Sequence, residues 1–486
     1  MVSKAFIEHP LYVPQPGWTE QKPDDWWAST CEAIRGVLNG FRRQSIVSIG
    51  LTGQMHGSVF LGSKNEVLRP CILWNDQRTA KQCERINRLV GRKKLIELTS
   101  NPAFTGFTAP KILWLRENEP AVYAKTRKIL LPKDYIRFML TGDYATDVSD
   151  ASGTLLLNVR RRKWSEEILS ALDISMDILP NIYESPELVG EVSKEASDVT
   201  GLKPGIPVVA GAGDQASGGI GAGIVKPGLV SATIGTSGVV FAFCDDIRID
   251  PKGRVHTFCH GVPGKWHIMS VMLSAGGSFR WLRDALGQTE TQMEKLTGQD
   301  AYSYMDAEAT TVDPGCEGLI FLPYLNGERT PHGDPYARGV FFGLSLRHSK
   351  PHMIRAVLEG ITYGMRDGLE IIHEMGVNIS KIRISGGGAK SALWRQIQAD
   401  VYKKRLEMIN IDEGPAFGAA LLAGTGVGVY RNIVEACEKT IKVVDQIEPI
   451  QKNSIIYDKF YEIYHNLYPA LKKSFKEDEK IVSSLR

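Results

Sequence analysis

Short apolar runs rich in Val and Ile alternate along the chain with longer stretches whose apolar residues recur every three or four positions. The first pattern is that of buried strands and the second that of one-sided helices, so an α/β protein is predicted. Residues 46–51 (IVSIGL), 206–209 (IPVV), 318–325 (GLIFLPYL), 382–385 (IRIS) and 406–410 (LEMIN) read as strands. SATI and VVFAF flank the turn GTSG, 235–238, with the alternation of a hairpin. Helices are predicted over 26–41, 79–90, 110–118, 133–142, 274–286 and 351–376; Pro110 suits the first turn of one, and Gly142 closes another. Beyond 391, Leu393, Trp394, Ile397 and Val401 share one helical face, and the small residues of PAFGAALLAG suit a closely packed helix. The polar cluster DVSDASG, 147–153, reads as a loop near the surface, and the segment after 440 as a polar, helical, structural tail. Lys226–Pro227 interrupts the pattern, dividing the chain into 1–225, 226–440 and a tail, 441–486.

Composition narrows the classes of partner. A net charge of +3 over 486 residues gives no ground for nucleic acid or an anionic membrane surface. Seven cysteines without a C-x-x-C pair suggest neither a disulfide framework nor a zinc site, and a reducing compartment suits them. The N-terminus carries charges and prolines where a signal peptide is apolar, and no run approaches the roughly 20 apolar residues of a membrane span. A cytoplasmic protein is expected.

Candidate chemistry lies at three glycine-rich strand ends. GAGDQASGGIGAG, 211–223, follows IPVV and carries one carboxylate, Asp214. Gly211, Gly213 and Ala216 match the dinucleotide fingerprint G-x-G-x-x-A, which demands an acidic residue about 20 positions further on. The next acids are Asp245 and Asp246, beyond a whole hairpin, and Asp214 would repel a pyrophosphate. The remaining readings are a general base beside a substrate hydroxyl, kept ionised by a helix N-terminus, a plain N-cap, and tight packing of helix on sheet. GTSG offers backbone N–H groups and the hydroxyls of Thr236 and Ser237 in a shape that can hold phosphate oxygens. GGGAKS, 386–391, opens the backbone to a flat ring or a phosphate. Each serves equally as a simple turn when taken alone; together they point to a nucleotide and a second substrate meeting in a cleft.

Two long segments, GFTAPKILWLREN at 106–118 and GVFFGLSLRHSKPHMIRAVLE at 339–359, resemble the signatures of the FGGY carbohydrate kinases. GQMHG, LWND, LPKDYIR, SDASGT and GERTPH extend the resemblance over nearly the whole chain, toward members that act on D-xylulose. The resemblance implies a two-domain actin/hexokinase-like (ribonuclease H-like) fold with ATP in the cleft, and Mg²⁺ as its companion. It implies that Asp214 takes the proton of the sugar's C5 hydroxyl as that oxygen attacks the γ-phosphate. Met55 and His56 match the sugar-binding pair, with Trp74, Asp76 and Gln215 as further sugar contacts; relatives often have Asn where Gln215 stands. Gly235, Thr236 and Ser237 match the second phosphate loop, and Gly276, Gly387, Gly388 and Ser391 the nucleotide contacts. No residue is assigned as a metal ligand, and a homodimer is compatible with the resemblance.

One departure matters. The family opens with a strand and a D-x-G-T phosphate loop, whereas KAFIEHPLYVPQPGWTEQ carries neither. Roughly two dozen residues, including a central strand, lack a counterpart, which would leave backbone groups unpaired. The expectation is a start further upstream or a sugar- or nucleotide-binding relic without turnover. A kinase for ribulose or glycerol is a third reading, against which QMHG argues.

Overall fold

The computed structural model describes residues 2–39, 45–411 and 413–485. Helix α1 (Pro23–Leu38) starts with proline in its first turn and places Asp24 and Asp25 at its positive end. The last residues of the predicted 26–41 helix, 40 and 41, lie outside the described residues. Segment 46–51 departs from the buried strand expected of it. Ile49 bridges Val208, but a parallel ladder forms only at β1 (Thr52–Gly53), and Val47 is 61% exposed. Its flank borders a cavity of about 400 Å³ lined by Phe6, Ile7, Leu51 and Thr52, so its apolar side chains are only partly covered.

Helix α2 (Thr108–Asn118) is buried continuously from Thr108 to Leu115, as befits a helix surrounded by protein. Helix α3 (Pro132–Thr141) ends at Gly142, whose φ of +82° permits the left-handed cap predicted there.

The segment expected as a surface loop is instead buried. It forms β2 (Ala145–Asp147), α4 (Val148–Ala151) and a 3₁₀ turn, Ser152–Thr154. Its acids are polar because they face cations rather than water. Lys133 Nζ lies 2.6 Å from Asp134, 3.1 Å from Asp147 and 3.7 Å from Asp150, with all four side chains fully buried. Arg137 pairs with Asp134 at 2.8 Å and donates to the Ala210 carbonyl at 2.6 Å. Burial, reinforced by the neighbouring carboxylates, holds Asp150 well above the usual carboxylate range. β3 (Ala212–Gly213) then runs parallel to β1, with Ala212 opposite Thr52 and Gly213 opposite Gly53, and leads into α5 (Asp214–Gly221).

The second half is built on one seven-stranded sheet. Its elements are β4 (Gly228–Ile234), β5 (Gly238–Cys244), β6 (His256–Cys259), β7 (Trp266–Met272), α6 (Gly276–Leu286), α7 (Lys350–Glu374), β8 (Ile379–Gly386), α8 (Ala392–Tyr402), β9 (Arg405–Ile409), α9 (Gly414–Gly426), β10 (Val443–Ile447) and α10 (Gln451–Ser484). The spatial order is β6-β7-β5-β4-β8-β9-β10, with β4, β8 and β9 parallel and every other pair antiparallel. The segment read as a tail therefore supplies an edge strand and a core helix. Tyr457 and Tyr464 of α10 are fully buried, with Tyr457 bonded to Glu359 at 3.0 Å and Tyr464 to Tyr324 at 3.1 Å.

The glycines after Asp214 serve tight packing. Helix α5 crosses α9 so closely that a Cβ on Gly221 would lie 1.9 Å from the Gly414 carbonyl oxygen, and one on Gly418 1.9 Å from that of Ser217. Ser217 Oγ also donates to the Pro415 carbonyl at 2.7 Å.

The Lys133 cluster yields a stability test. Lys133→Met removes the cation shared by three buried acids and should destabilise the protein by about 3–5 kcal/mol, because Asp147 and Asp150 lose their cation in a dry interior and Asp134 keeps Arg137 alone. Urea denaturation at neutral pH measures this; an unchanged midpoint would show that the acids do not depend on Lys133.

Candidate active site

The β1–β3 pairing brings two strand ends to one level, setting loop 54–57 beside Asp214. Met55 is buried as a wedge, its Cγ 3.0 Å from where a Cβ of Gly213 would lie and its Cε 3.0 Å from that of Gly153. His56 adopts φ +68°, an uncommon region for a residue with a side chain. Its carbonyl is held by α2, accepting from Thr108 Oγ1 at 3.1 Å and Lys111 Nζ at 2.8 Å. The ring stacks on Phe107 with centroids 4.4 Å apart, and Nδ1 lies 2.7 Å from the Gly153 carbonyl oxygen. Burial lowers the His56 pKa to about 3, so the ring is neutral at pH 7. A carbonyl can only accept, so Nδ1 carries the proton and Nε2 is left as an acceptor suited to a hydroxyl. The signature lysine, Lys111, thus shapes the sugar wall from behind, and burial lowers its pKa to about 7.

Asp214 is the first residue of α5, with Gly213 in the cap position. Its Oδ1 accepts from the Gln215 amide at 2.9 Å, and Oδ2 lies 3.4 Å from Gln215 Nε2. The helix end was expected to keep this acid charged, and at pH 7 it is, though with little margin. Burial raises its pKa to about 6, outweighing the hydrogen bonds that favour the anion. It remains mostly ionised at pH 7 and is a stronger base than an ordinary carboxylate.

Both Asp76 oxygens are taken by Arg78, at 2.8–3.0 Å, and one also accepts from the Thr19 amide at 2.7 Å. Asp76 is fully buried and acts through Lys111, whose positive charge it favours. Trp74 is 48% exposed.

A second strand-end site lies on the large sheet. Parallel pairing of Ile234 with Gly386 puts the 235–237 turn beside the 386–388 glycines. Gly235, Thr236, Gly276, Gly387, Gly388 and Ser391 line one cavity of about 360 Å³; Ser237 belongs to the turn but not to the lining. The glycine floor has a packing cause, since a Cβ on Gly388 would lie 2.8 Å from Ile234 Cβ. The turn's carbonyls already receive the first amides of α6, from Ala275 at 3.0 Å, Gly276 at 2.9 Å and Gly277 at 2.9 Å. The polar side chains that line the cavity include those of Thr236, Arg280 and Lys390. Sequence reasoning missed Arg280, Tyr302 and Lys390. Arg280 stands four residues after Gly276, one helical turn on, which is the only signal that marked it.

An α/β chain with a base beside an acceptor histidine at one strand-end site, and a glycine-floored cavity at another, has the parts of a sugar kinase. Its first half matches the FGGY family of carbohydrate kinases, N-terminal domain, over residues 1–221, and its second half matches the C-terminal domain over residues 230–427. The chain belongs to that family, and its architecture is the two-domain actin-like fold. It is 39% identical to the xylulose kinase of Escherichia coli K12 over 459 residues, 94% of this chain and 92% of that one. It is 38% identical to the xylulose kinase of Bacillus subtilis 168, over 97% of this chain and 94% of that one. The crystal structure of a xyloylose kinase from Brucella ovis superposes with a TM-score of 0.87 at 36% identity, covering 96% of this chain and 93% of that one. Among the described residues no helix is long and apolar enough to cross a membrane, and all seven cysteines are free and buried.

Lys111→Met tests the support of the sugar wall. Losing a charge-assisted bond to the His56 carbonyl should raise KM for the sugar about tenfold or more and leave KM for ATP unchanged. Steady-state kinetics against both substrates reads the split; an unchanged sugar KM would detach Lys111 from His56 placement.

Proposed function

We propose that this protein transfers the γ-phosphoryl group of ATP to D-xylulose, forming D-xylulose 5-phosphate and ADP. The observation that carries this reading is the pairing of an acceptor His56 Nε2 with a part-buried Asp214 on adjoining strand ends, within a chain nearly 40% identical to xylulose kinases. His56 and Met55 hold the ketose, and Gln215 borders the base. The C5 oxygen attacks the γ-phosphorus as Asp214 takes its proton; the new O–P bond forms while the bond to ADP breaks. Asp214 has the right poise for this, being charged at neutral pH yet basic enough to accept.

The 360 Å³ cavity holds the nucleotide, with Thr236, Arg280 and Lys390 toward its phosphates and the glycines of 387–388 against its flat part. Mg²⁺ supplies charge neutralisation on those phosphates. It comes bound to ATP. Residues 1–225 form the sugar unit and 226–440 the nucleotide unit, with 441–486 built into the latter through β10 and α10. The protein works in the cytoplasm.

The partly exposed 46–51 segment is the one observation that favours a binding protein without turnover. Under that reading calorimetry detects D-xylulose binding while no ADP forms. Efficient ADP formation excludes it.

Two measurements test the kinase. Asp214→Asn should lower kcat by about 10² to 10⁴ while sugar binding by calorimetry persists. In the wild type the ionised base is lost as pH falls through about 6. kcat/KM should then drop about tenfold per unit below that pH. A variant with near-normal turnover, or a flat acid limb, would remove Asp214 from the role of base.

A further inference from the structure

The second half of the chain reaches the sugar wall through His256 and Phe258 of β6, which meet Phe104, Phe107 and His56, and through one cation, Arg329. Loop 327–333 is fastened to the end of β7, because Glu328 accepts from the Leu273 amide at 2.9 Å and Thr330 exchanges bonds with Val271 at 3.0 and 3.2 Å. This anchoring places the Arg329 guanidinium 5.7 Å over the ring of Phe104. Phe104 meets Phe107 edge-on at 5.8 Å, and Phe107 stacks on His56. Burial chiefly disfavours protonation of His56 and His256, and the Arg329 charge adds to it.

Arg329 has no carboxylate of its own. Arg78, Arg137, Arg162 and Arg355 each hold an acid at 2.6–2.8 Å. Among the described residues the Arg329 side chain makes no such pair and no hydrogen bond. Neighbouring Glu328 attracts this charge, but its Oε1 accepts from the Leu273 and Arg329 amides and it forms no ion pair with the guanidinium. A part-buried cation without an ion pair is unfavourable, and cation–π contact with one phenyl ring offsets only part of that cost. Such a group is complementary to an anion that arrives, and the reaction proposed above creates one on the sugar.

We infer that Arg329 binds the phosphoryl group as it passes to the C5 oxygen and holds it on the product. Its N–H groups donate to phosphoryl oxygens while the O–P bond to the sugar forms and the bond to ADP breaks. Arg329 gains and loses no proton; the proton goes to Asp214. The inference rests on the kinase reading, and it gives the nucleotide half of the chain a direct hold on the acceptor sugar.

Calorimetry with D-xylulose and D-xylulose 5-phosphate, on the wild type, Arg329→Gln and Arg329→Lys, decides it. Arg329→Gln should weaken the phosphate ester about tenfold or more and D-xylulose less than about twofold. Turnover should fall at least about a hundredfold with KM for D-xylulose little changed. Arg329→Lys should recover part of the phosphate affinity, because it keeps the charge and loses the fork. Thermal melting of each variant identifies a folding defect, which would weaken both ligands together. Equal weakening of both ligands, or none, overturns the role of Arg329. The kinase reading fails on a different result, namely wild-type protein that forms no ADP with D-xylulose, and the binding comparison stands apart from that assay.

Discussion

Parallel strand register is the constraint on which both sites depend. Where two strands run the same way, their carboxyl ends reach the same edge, and whatever follows them becomes neighbouring by geometry. Gly213 opposite Gly53 makes neighbours of Asp214 and the Met55–His56 loop, which lie far apart in the chain. Ile234 opposite Gly386 does the same for the Gly235–Ser237 turn and the glycines of 386–388. A slip of one residue in either ladder would reverse the side chains and part the loops. The buried Lys133 cluster supports the first ladder directly, as Ser149 beside Asp147 accepts from the Gly213 amide at 3.2 Å.

The charged groups around the sugar wall share one physical condition, which is removal from water. Burial lowers His56 to about 3 and Lys111 to about 7, and raises Asp214 to about 6 and Glu328 to about 8. Each shift runs toward the neutral form, as desolvation requires. The result is a neutral acceptor, a base poised just below neutrality and a cation, Arg329, that makes no ion pair among the described residues. In such surroundings hydrogen bonds and charges act more strongly on a reacting phosphoryl group than they would in water.

Local chemistry made much of this legible in the sequence. The GTSG hairpin, the Gly142 cap and the small-residue helix at 415–424 follow from turn geometry, left-handed backbone and close packing, which need only neighbouring residues. Polarity misled where charges are paired inside the protein. DVSDASG looks solvated until Lys133 is seen against Asp147 and Asp150, and Asp76 looks exposed until Arg78 closes on it. The segment after 440 hid its role for a related reason. Tyr457 and Tyr464 stand among many charged neighbours in sequence, yet they fall on the one face of α10 that meets the core. The lift in the Asp214 pKa was equally invisible, since it depends on burial by distant segments rather than on the helix end that the sequence displays.

The glycines that follow Asp214 connect these observations. They do not cradle a ligand; they let α5 rest backbone to backbone on α9, which hangs from the sheet bearing the nucleotide cavity. The base is therefore placed relative to that sheet through main-chain contact rather than through long side chains with rotamer freedom. Phosphoryl transfer depends mainly on positioning, and a displacement of about 1 Å can cost on the order of 10²-fold in rate. A methyl group on Gly221 or Gly418 would press on a carbonyl oxygen 1.9 Å away and tilt the helix whose first residue is the base. The glycine-rich sequence thus matters to catalysis through the crossing of two helices, and Asp214 is where that packing reaches the chemistry.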